Sequence, residues 1–231
     1  MSMARDVTPS AGSGATWTAL SAALNCTASS AATTLRCLRA VPAPRLRSAV
    51  TEGNLMFGPA TDNGTIFSDQ PARLESGNFV RVPVLVGTND EELGNTTMSA
   101  AATLLAFTCP AAKTAKAHTR FGPTWQYRFM GDFPTGTSRF ESPRAFHGSE
   151  IRLIFGRYDR KVATDQQRAA SVYMQGAWAA FANDPSKWLD SYEGGWPRYN
   201  SKTTSVVLLA DKNQAKATFA NPAQYERGCR F

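Results

Sequence analysis

Three short apolar runs are separated by stretches with helical periodicity. Residues 82–86 are a continuous run rich in valine, as expected for a strand that is covered on both faces. Residues 125–129 alternate aromatic and polar side chains, residues 205–210 form a third apolar run, and residues 165–183 carry the clearest helical pattern. Strands separated by helices predict an α/β fold with a mostly parallel sheet flanked by helices. Three strands are few for 231 residues, so we expect the sheet to be incomplete.

The first third of the chain has a different character. Residues 1–16 include a tract of serine, alanine, glycine and threonine and are predicted to be a flexible N-terminal segment. Residues 17–24 and 31–41 are predicted to form short helices, and Pro42 then breaks the pattern. Residues 57–80 are rich in glycine, proline, aspartate and asparagine, which indicates an irregular surface segment with short turns.

Composition and charge narrow the class of protein. Hydrophobic residues make up 42% and charged residues 19%, which is ordinary for a globular domain. No apolar run approaches the roughly 18 residues that span a bilayer, and the first residues lack the apolar stretch of a signal peptide. The net charge is +7, with one local basic cluster that we interpret as a solvated helix face: Arg36, Arg39, Arg45 and Arg47. We therefore expect neither a transmembrane segment nor a nucleic-acid partner.

The cysteines and the glycosylation triplets favour an oxidising compartment. With no Cys-x-x-Cys and two histidines in the chain, two disulfides fit better than a zinc site for the four cysteines Cys26, Cys37, Cys109 and Cys229. The first two are the natural local pair, which leaves the other two for each other. Spacing alone does not fix this connectivity, and four buried free thiols are the alternative. Three Asn-x-Ser/Thr triplets are candidate glycosylation sites, at Asn25, Asn63 and Asn95.

Candidate catalytic side chains follow two of the predicted strands. Three consecutive acids, Asp90, Glu91 and Glu92, come soon after the first strand, and His147 follows the second strand in a loop that enters a helix. Gly148 allows that loop an unusual backbone angle. An acid and then a histidine match the chain order Ser, Asp/Glu, His of α/β-hydrolases, in which a carboxylate orients an imidazole that accepts the serine proton. The alternatives are a solvated acidic loop and a structural histidine.

Longer stretches resemble the type-B carboxylesterase and cholinesterase family. The similarity runs in the correct order over roughly residues 17–210, and the segment around the first two cysteines looks most like the secreted fungal members. The stretches that carry it are Phe57-Gly58-Pro59, Asp62-Asn63-Gly64, residues 82–92, His147-Gly148-Ser149-Glu150-Ile151, Phe155-Gly156, Met174, residues 178–185 and residues 196–199. The resemblance implies that residues 17–231 are the C-terminal portion of an α/β-hydrolase domain.

The resemblance also implies roles for individual residues. Glu92 resembles the acid of the catalytic triad, His147 resembles its base, and Cys26 and Cys37 match a disulfide of the family. One departure lies beside the acid, where the family usually has glycine and this chain has Leu93. If that side chain disturbs the turn and shifts its register, one of the two preceding acids would take the place of the glutamate.

The serine nucleophile of this family is not evident. It lies in a Gly-x-Ser-x-Gly turn, and no such pentapeptide occurs in the chain. Ser10 resembles the latter half of such a turn, but Thr8 stands where the first glycine would be, so we interpret Ser10 as a residue of the flexible tail. We therefore expect this chain to supply an acid and a base without a nucleophile and to have negligible esterase activity alone.

Other functions remain open on the sequence. One alternative is a non-catalytic extracellular binding or adhesion module of the same fold. Another is a truncated fragment without function, whose open sheet edge would expose aromatic side chains such as Trp125 and Phe129. If the full-length form is active, the resemblance implies small-molecule carboxylic esters or lipids as substrates, no cofactor and a secreted location, for which this chain shows no signal peptide.

Overall fold

A computed structural model describes residues 13–94, 96–134 and 144–230, and contacts divide the chain at Gln70 and Pro71 into two compact units. Most of the predicted flexible segment therefore lies outside the described residues. In chain order the elements are α1 (Ser13–Ala23), α2 (Ala31–Ala40), α3 (Ala43–Glu52), α4 (Gln70–Ser76), β1 (Val84–Asn89), α5 (Thr97–Thr103), a π-helical segment (Leu104–Thr108), α6 (Cys109–His118), β2 (Thr124–Phe129), α7 (Ser149–Ile154), α8 (Asp165–Asn183), β3 (Val206–Leu209), β4 (Thr218–Ala220) and α9 (Ala223–Glu226), with 3₁₀ turns at Trp188–Asp190, Tyr192–Gly194 and Asp211–Asn213.

The N-terminal unit contains three short helices and a disulfide. Cys26 and Cys37 are bonded to each other, across the turn between α1 and α2, as the local pairing predicts. Leu20, Leu24 and Leu38 form a small buried core beside this disulfide. The four arginines of the basic cluster are exposed on α2 and α3, which agrees with a solvated helix face.

The C-terminal unit is built on a four-stranded sheet in the order β1-β2-β3-β4. The first three strands are parallel and β4 is antiparallel to β3, so the predicted mostly parallel sheet is confirmed. β4 is a strand that the sequence analysis missed, because its three residues are too few to show an alternation. β1 starts two residues later than predicted and continues to Asn89, because its parallel pairing with β2 extends to Phe129.

Helices cover both faces of this sheet. On one face Trp125 and Phe129 pack in a cluster that includes Met174 of α8, and on the other Val86 packs against Ala111 of α6. Trp125 is 0% exposed and Phe129 is 1% exposed. The expectation that these two aromatic side chains lie exposed is therefore wrong. They point toward a face of the sheet that α8 covers, and not toward an open edge.

The segment 57–80 is only partly irregular. Asp62 closes a turn by accepting hydrogen bonds from the backbone N–H groups of residues 64–66, at 2.7 to 2.9 Å. The helix α4 then begins at Gln70, so the prediction of an irregular segment is wrong for its last part. The proline in this helix, Pro71, is well tolerated because it lies in the first turn, where its missing N–H has no intrahelical acceptor.

Candidate active site

The acidic turn at the end of β1 meets the loop that enters α7. Glu92 Oε2 lies 2.6 Å from His147 Nδ1, and the Glu92 side chain is 3% exposed whereas that of His147 is 39% exposed. The other oxygen, Oε1, accepts a hydrogen bond from the backbone N–H of Asn89 at 2.8 Å. A buried carboxylate at Nδ1 fixes the tautomer of a histidine and leaves Nε2 for proton transfer. The structure thus brings together the two residues that the sequence proposes as acid and base.

The other two acids of the turn have different partners. Asp90 Oδ1 accepts a hydrogen bond from Arg128 Nε at 2.7 Å. Glu91 Oε1 lies 3.2 Å from Arg144 Nε, and burial raises the pKa of Glu91 although the positive charge of Arg144 opposes the rise. Leu93 is 42% exposed. Its side chain can point outward without disturbing the turn, and of the three acids it is Glu92 that contacts His147; the role of Glu92 as the triad acid stays a prediction.

Backbone hydrogen bonds hold the histidine loop on the acidic turn. The N–H of His147 donates to the carbonyl of Glu92 at 3.2 Å, and the N–H of Glu91 donates to the carbonyl of Ala145 at 2.9 Å. Gly148 then takes a φ of 77° directly before α7. A side chain there would be strained, which is the physical reason for the glycine that the sequence analysis singled out. The loop and the turn therefore form one hydrogen-bonded frame around the acid–histidine pair.

A π-helical segment supplies a contact that sequence reasoning missed. Phe107, 8% exposed, places its ring 5.1 Å from that of His147, centroid to centroid, at an interplanar angle of 62°. The segment ends at Thr108, and the next residue, Cys109, is bonded to Cys229. π-Helical turns inserted in α-helices occur often at functional sites. The apolar run Leu-Leu-Ala-Phe that forms this segment carries no signal that separates it from an ordinary buried helix.

Asn89 and Glu150 form a second buried pair beside the first. Asn89 is 1% exposed and Glu150 is 2% exposed, and Asn89 Nδ2 donates to Glu150 Oε2 and to the carbonyl oxygen of Phe146. Burial raises the pKa of Glu150; the hydrogen bond from Asn89 opposes the rise and the negative charge of Glu92 adds to it. Two features of the sequence could have indicated this pair. Asn89 is a polar residue at the end of an apolar strand, and Glu150 is an acid three residues after the histidine.

The remaining predicted sites lie away from this pair. The disulfides join Cys26 to Cys37 and Cys109 to Cys229, which excludes the alternative of four free thiols. The candidate glycosylation sites Asn25 and Asn63 are exposed and have positive φ, whereas Asn95 and Ser10 lie outside the described residues. Glycosylation stays a prediction.

The described residues offer neither a metal-binding cluster nor a membrane-spanning helix. In 13–94, 96–134 and 144–230, no group of three or more His, Cys, Asp or Glu side chains is arranged to hold a metal ion. Within the same ranges no helix is long and apolar enough to cross a membrane. A cavity of about 330 Å³ beside the acidic turn includes Asp90, Glu91, Arg128 and Tyr225 in its wall. Two of its charges, those of Asp90 and Arg128, are paired with each other.

Several known proteins are similar to this chain in sequence. Secreted lipase 5 of Gibberella zeae is 29% identical, over 80% of this chain and 41% of the lipase. The chlorogenic acid esterase of Aspergillus niger is 28% identical, over 74% of this chain and 36% of that protein. The para-nitrobenzyl esterase of Bacillus subtilis is 24% identical, over 80% and 45%. The chain thus spans less than half the length of these relatives.

Solved structures and a family model agree with this result. A para-nitrobenzyl (PNB) esterase superposes with a TM-score of 0.77 at 23% identity, over 97% of this chain and 55% of that one. A thermophilic PNB esterase gives a TM-score of 0.73 at 21% identity. These likenesses show that the chain has part of the α/β-hydrolase fold of those esterases. A model described as the carboxylesterase family matches residues 95–227, which is more than half of the chain. The chain therefore belongs to the carboxylesterase family.

Proposed function

We propose that this chain carries the acid and the base of a serine carboxylic ester hydrolase, with Glu92 as the acid and His147 as the base. The observation that carries the proposal is the 2.6 Å contact between Glu92 Oε2 and His147 Nδ1, which joins a buried carboxylate to a half-exposed imidazole. No Gly-x-Ser-x-Gly occurs in the 231 residues, so we propose that the nucleophilic serine comes from outside them. On this proposal the chain alone turns over esters negligibly.

The proposed chemistry moves one proton through His147 in each half of the reaction. Nε2 accepts the proton of the serine hydroxyl as the serine oxygen attacks the ester carbonyl, and then gives that proton to the departing alcohol, leaving an acyl-serine. Water then attacks the acyl-serine while Nε2 accepts a proton from the water and returns it to the serine oxygen. Glu92 stays ionised throughout and stabilises the imidazolium that forms in each half.

The proposed substrates are small-molecule carboxylic esters or lipids. Support comes from the family and from relatives named as a lipase, a chlorogenic acid esterase and a para-nitrobenzyl esterase. We also propose that the protein is secreted. Two disulfides, which form and persist in oxidising compartments, and a relative named as a secreted lipase support this location.

The first test uses the purified, folded chain alone with a fluorophosphonate probe, which reacts with activated serines. We expect no labelling of the wild-type chain. Labelling that disappears in both Ser10→Ala and His147→Ala would show that a nucleophile exists within these residues and would contradict the proposal that it comes from elsewhere.

The second test asks whether the pair works when a serine is supplied. The chain is co-expressed with the part of Secreted lipase 5 that the alignment leaves uncovered, and assembly is checked by co-purification. We expect ester hydrolysis by the assembled form to fall by roughly 10⁶-fold in His147→Ala, because the serine loses its base. The matched control is His118→Ala, which removes the other histidine, stacked on Phe79 with ring centroids 4.1 Å apart. Hydrolysis that survives His147→Ala would contradict the proposed role.

A further inference from the structure

We propose that Asn89 is a positioning residue of this site, which holds both Glu92 and the loop of His147 in register with the end of β1. The proposal rests on the proposed function for its meaning in catalysis. Its structural content, a link from one residue to Glu92 through its backbone and to the loop of His147 through its side chain, is independent of turnover. Asn89 contacts no reacting atom and would act only through its two neighbours.

The backbone of Asn89 provides the first link. The N–H groups of Val84 and Asp90 donate to carbonyls of the β2 side, at 3.0 and 2.9 Å. Backbone N–H groups alternate in direction along a strand, so the N–H of Asn89 points away from β2. It is therefore available to Glu92 Oε1, which it contacts at 2.8 Å. The carboxylate is thus held at one oxygen by β1 and at the other by the imidazole.

The side chain of Asn89 provides the second link. Its Nδ2 donates to the carbonyl of Phe146 at 2.6 Å and to Glu150 Oε2. Phe146 directly precedes His147, and Glu150 lies three residues after it in the first turn of α7. One amide group therefore ties the residues on both sides of the histidine to the end of the strand, from which the acidic turn also departs.

In the part of the chain that the structure describes, the buried amide of Asn89 is hydrogen-bonded on its nitrogen side only. Asn89 is 1% exposed, and its Oδ1 is buried without a hydrogen-bond partner among the described residues. An unpaired buried oxygen reduces what the side chain contributes to stability, so stability by itself is a weak reason for an asparagine here. The acceptors of Nδ2, in contrast, all belong to residues that flank His147 in the chain: Phe146, Ser149 and Glu150. This asymmetry points to positioning as the role of the amide.

The test measures the proton between Glu92 and His147 by NMR spectroscopy of the whole chain. The chain contains two histidines, so the Nδ1 proton of His147 can be assigned by its absence in His147→Ala. In the wild-type chain we expect a downfield resonance for this proton, protected from exchange with water. In Asn89→Ala, which keeps the backbone N–H that contacts Glu92, we expect the resonance to be lost, because the loop of His147 is no longer tied to the end of β1.

The matched control removes a buried amide elsewhere. Gln126 is 5% exposed and donates a hydrogen bond to the buried carboxyl of Glu226, in a separate cluster with Tyr199. Gln126→Leu removes the same kind of contact, and we expect it to keep the His147 resonance. The proposal is overturned if Asn89→Ala folds and keeps the resonance. It is also overturned if both Asn89→Ala and Gln126→Leu lose the resonance.

A second pair of variants covers the case in which Asn89→Ala does not fold. Glu150→Gln retains an oxygen that accepts from Asn89 and should keep the resonance, whereas Glu150→Leu removes the acceptor and should weaken or abolish it. Retention of the resonance in both variants overturns the proposal. The NMR measurement does not depend on turnover. If the chain hydrolyses no ester, that outcome concerns the proposed function only, and the role of Asn89 can still be tested.

Discussion

The acidic turn shows how three adjacent carboxylates acquire different tasks from their surroundings. Asp90 and Glu91 are partly buried and pair with arginines, while Glu92 is buried against His147. All three have the same charge and lie within three consecutive positions. Their difference comes from the direction in which the turn points each side chain.

At this scale we predict unequal effects of the same substitution at neighbouring positions. In the co-expressed form, Glu92→Gln should reduce kcat/KM by roughly 10⁴-fold, because an amide no longer fixes the tautomer or stabilises the imidazolium. Glu91→Gln, the matched control, should leave kcat/KM close to that of the unmodified form. Steady-state kinetics on a chromogenic ester provide the measurement. Equal losses in the two variants would argue against Glu92 as the acid of the triad.

At the scale of elements, the parallel sheet creates the site. The strands β1 and β2 run in the same direction, so the chain leaves both at the same edge of the sheet. The acidic turn follows β1 and the histidine loop lies between β2 and α7, which brings together residues 55 positions apart in sequence. The π-helical segment adds Phe107 to the same place, directly before the cysteine at the start of α6.

The two disulfides should stabilise their elements to different extents. The Cys109–Cys229 bond spans 120 residues and the Cys26–Cys37 bond spans 11. In the chain-entropy model, loss of the long loop costs about 5 kcal/mol and loss of the short loop about 3 kcal/mol. Replacing each pair by alanines and measuring urea unfolding should show the larger loss for the long loop. A larger loss for the short loop would show that strain or packing outweighs loop entropy.

At the scale of the whole molecule, buried carboxyl groups couple the fold to pH. Burial raises the pKa of Glu226, and hydrogen bonds from Gln126 and Tyr199 oppose the rise. Burial likewise raises the pKa of Glu150. A carboxyl with a raised pKa in the folded state contributes stability that is full below its unfolded pKa and is lost as the pH rises through its folded pKa. The free energy of unfolding that these groups contribute should therefore fall from acidic toward neutral pH.

Glu226→Gln tests this coupling. The amide does not ionise, so the variant should gain stability relative to the wild-type chain as the pH rises above the ordinary carboxyl pKa of 4.5. Urea unfolding at pH about 4 and about 7 measures the difference, and the contribution of Glu150 cancels because both proteins contain it. A difference in unfolding free energy that is the same at both pH values would mean that Glu226 does not titrate within this range.

The sequence by itself determined the features that depend on local pattern. Apolar runs predicted the three parallel strands, and helical periodicity predicted α8 at its observed bounds, because the period of the side chains follows from the backbone geometry of each element. The acidic turn and His147 were recognised because both follow predicted strands. The cysteine count indicated two disulfides, although the pairing of the distant two required the structure.

Only the tertiary structure decided how these parts meet. It placed Glu92, of the three acids, against His147, and it paired β4 with β3. It also buried Trp125 and Phe129 under α8 and placed Phe107 and Asn89 beside the histidine loop. Each of these results depends on contacts between residues far apart in the chain. A hydrophobic period records which face of an element is buried but contains no information about the partner that buries it. The candidate site is formed by residues that are far apart in the chain. Glu92 and His147 could therefore be proposed from the sequence, but the contact between them could not.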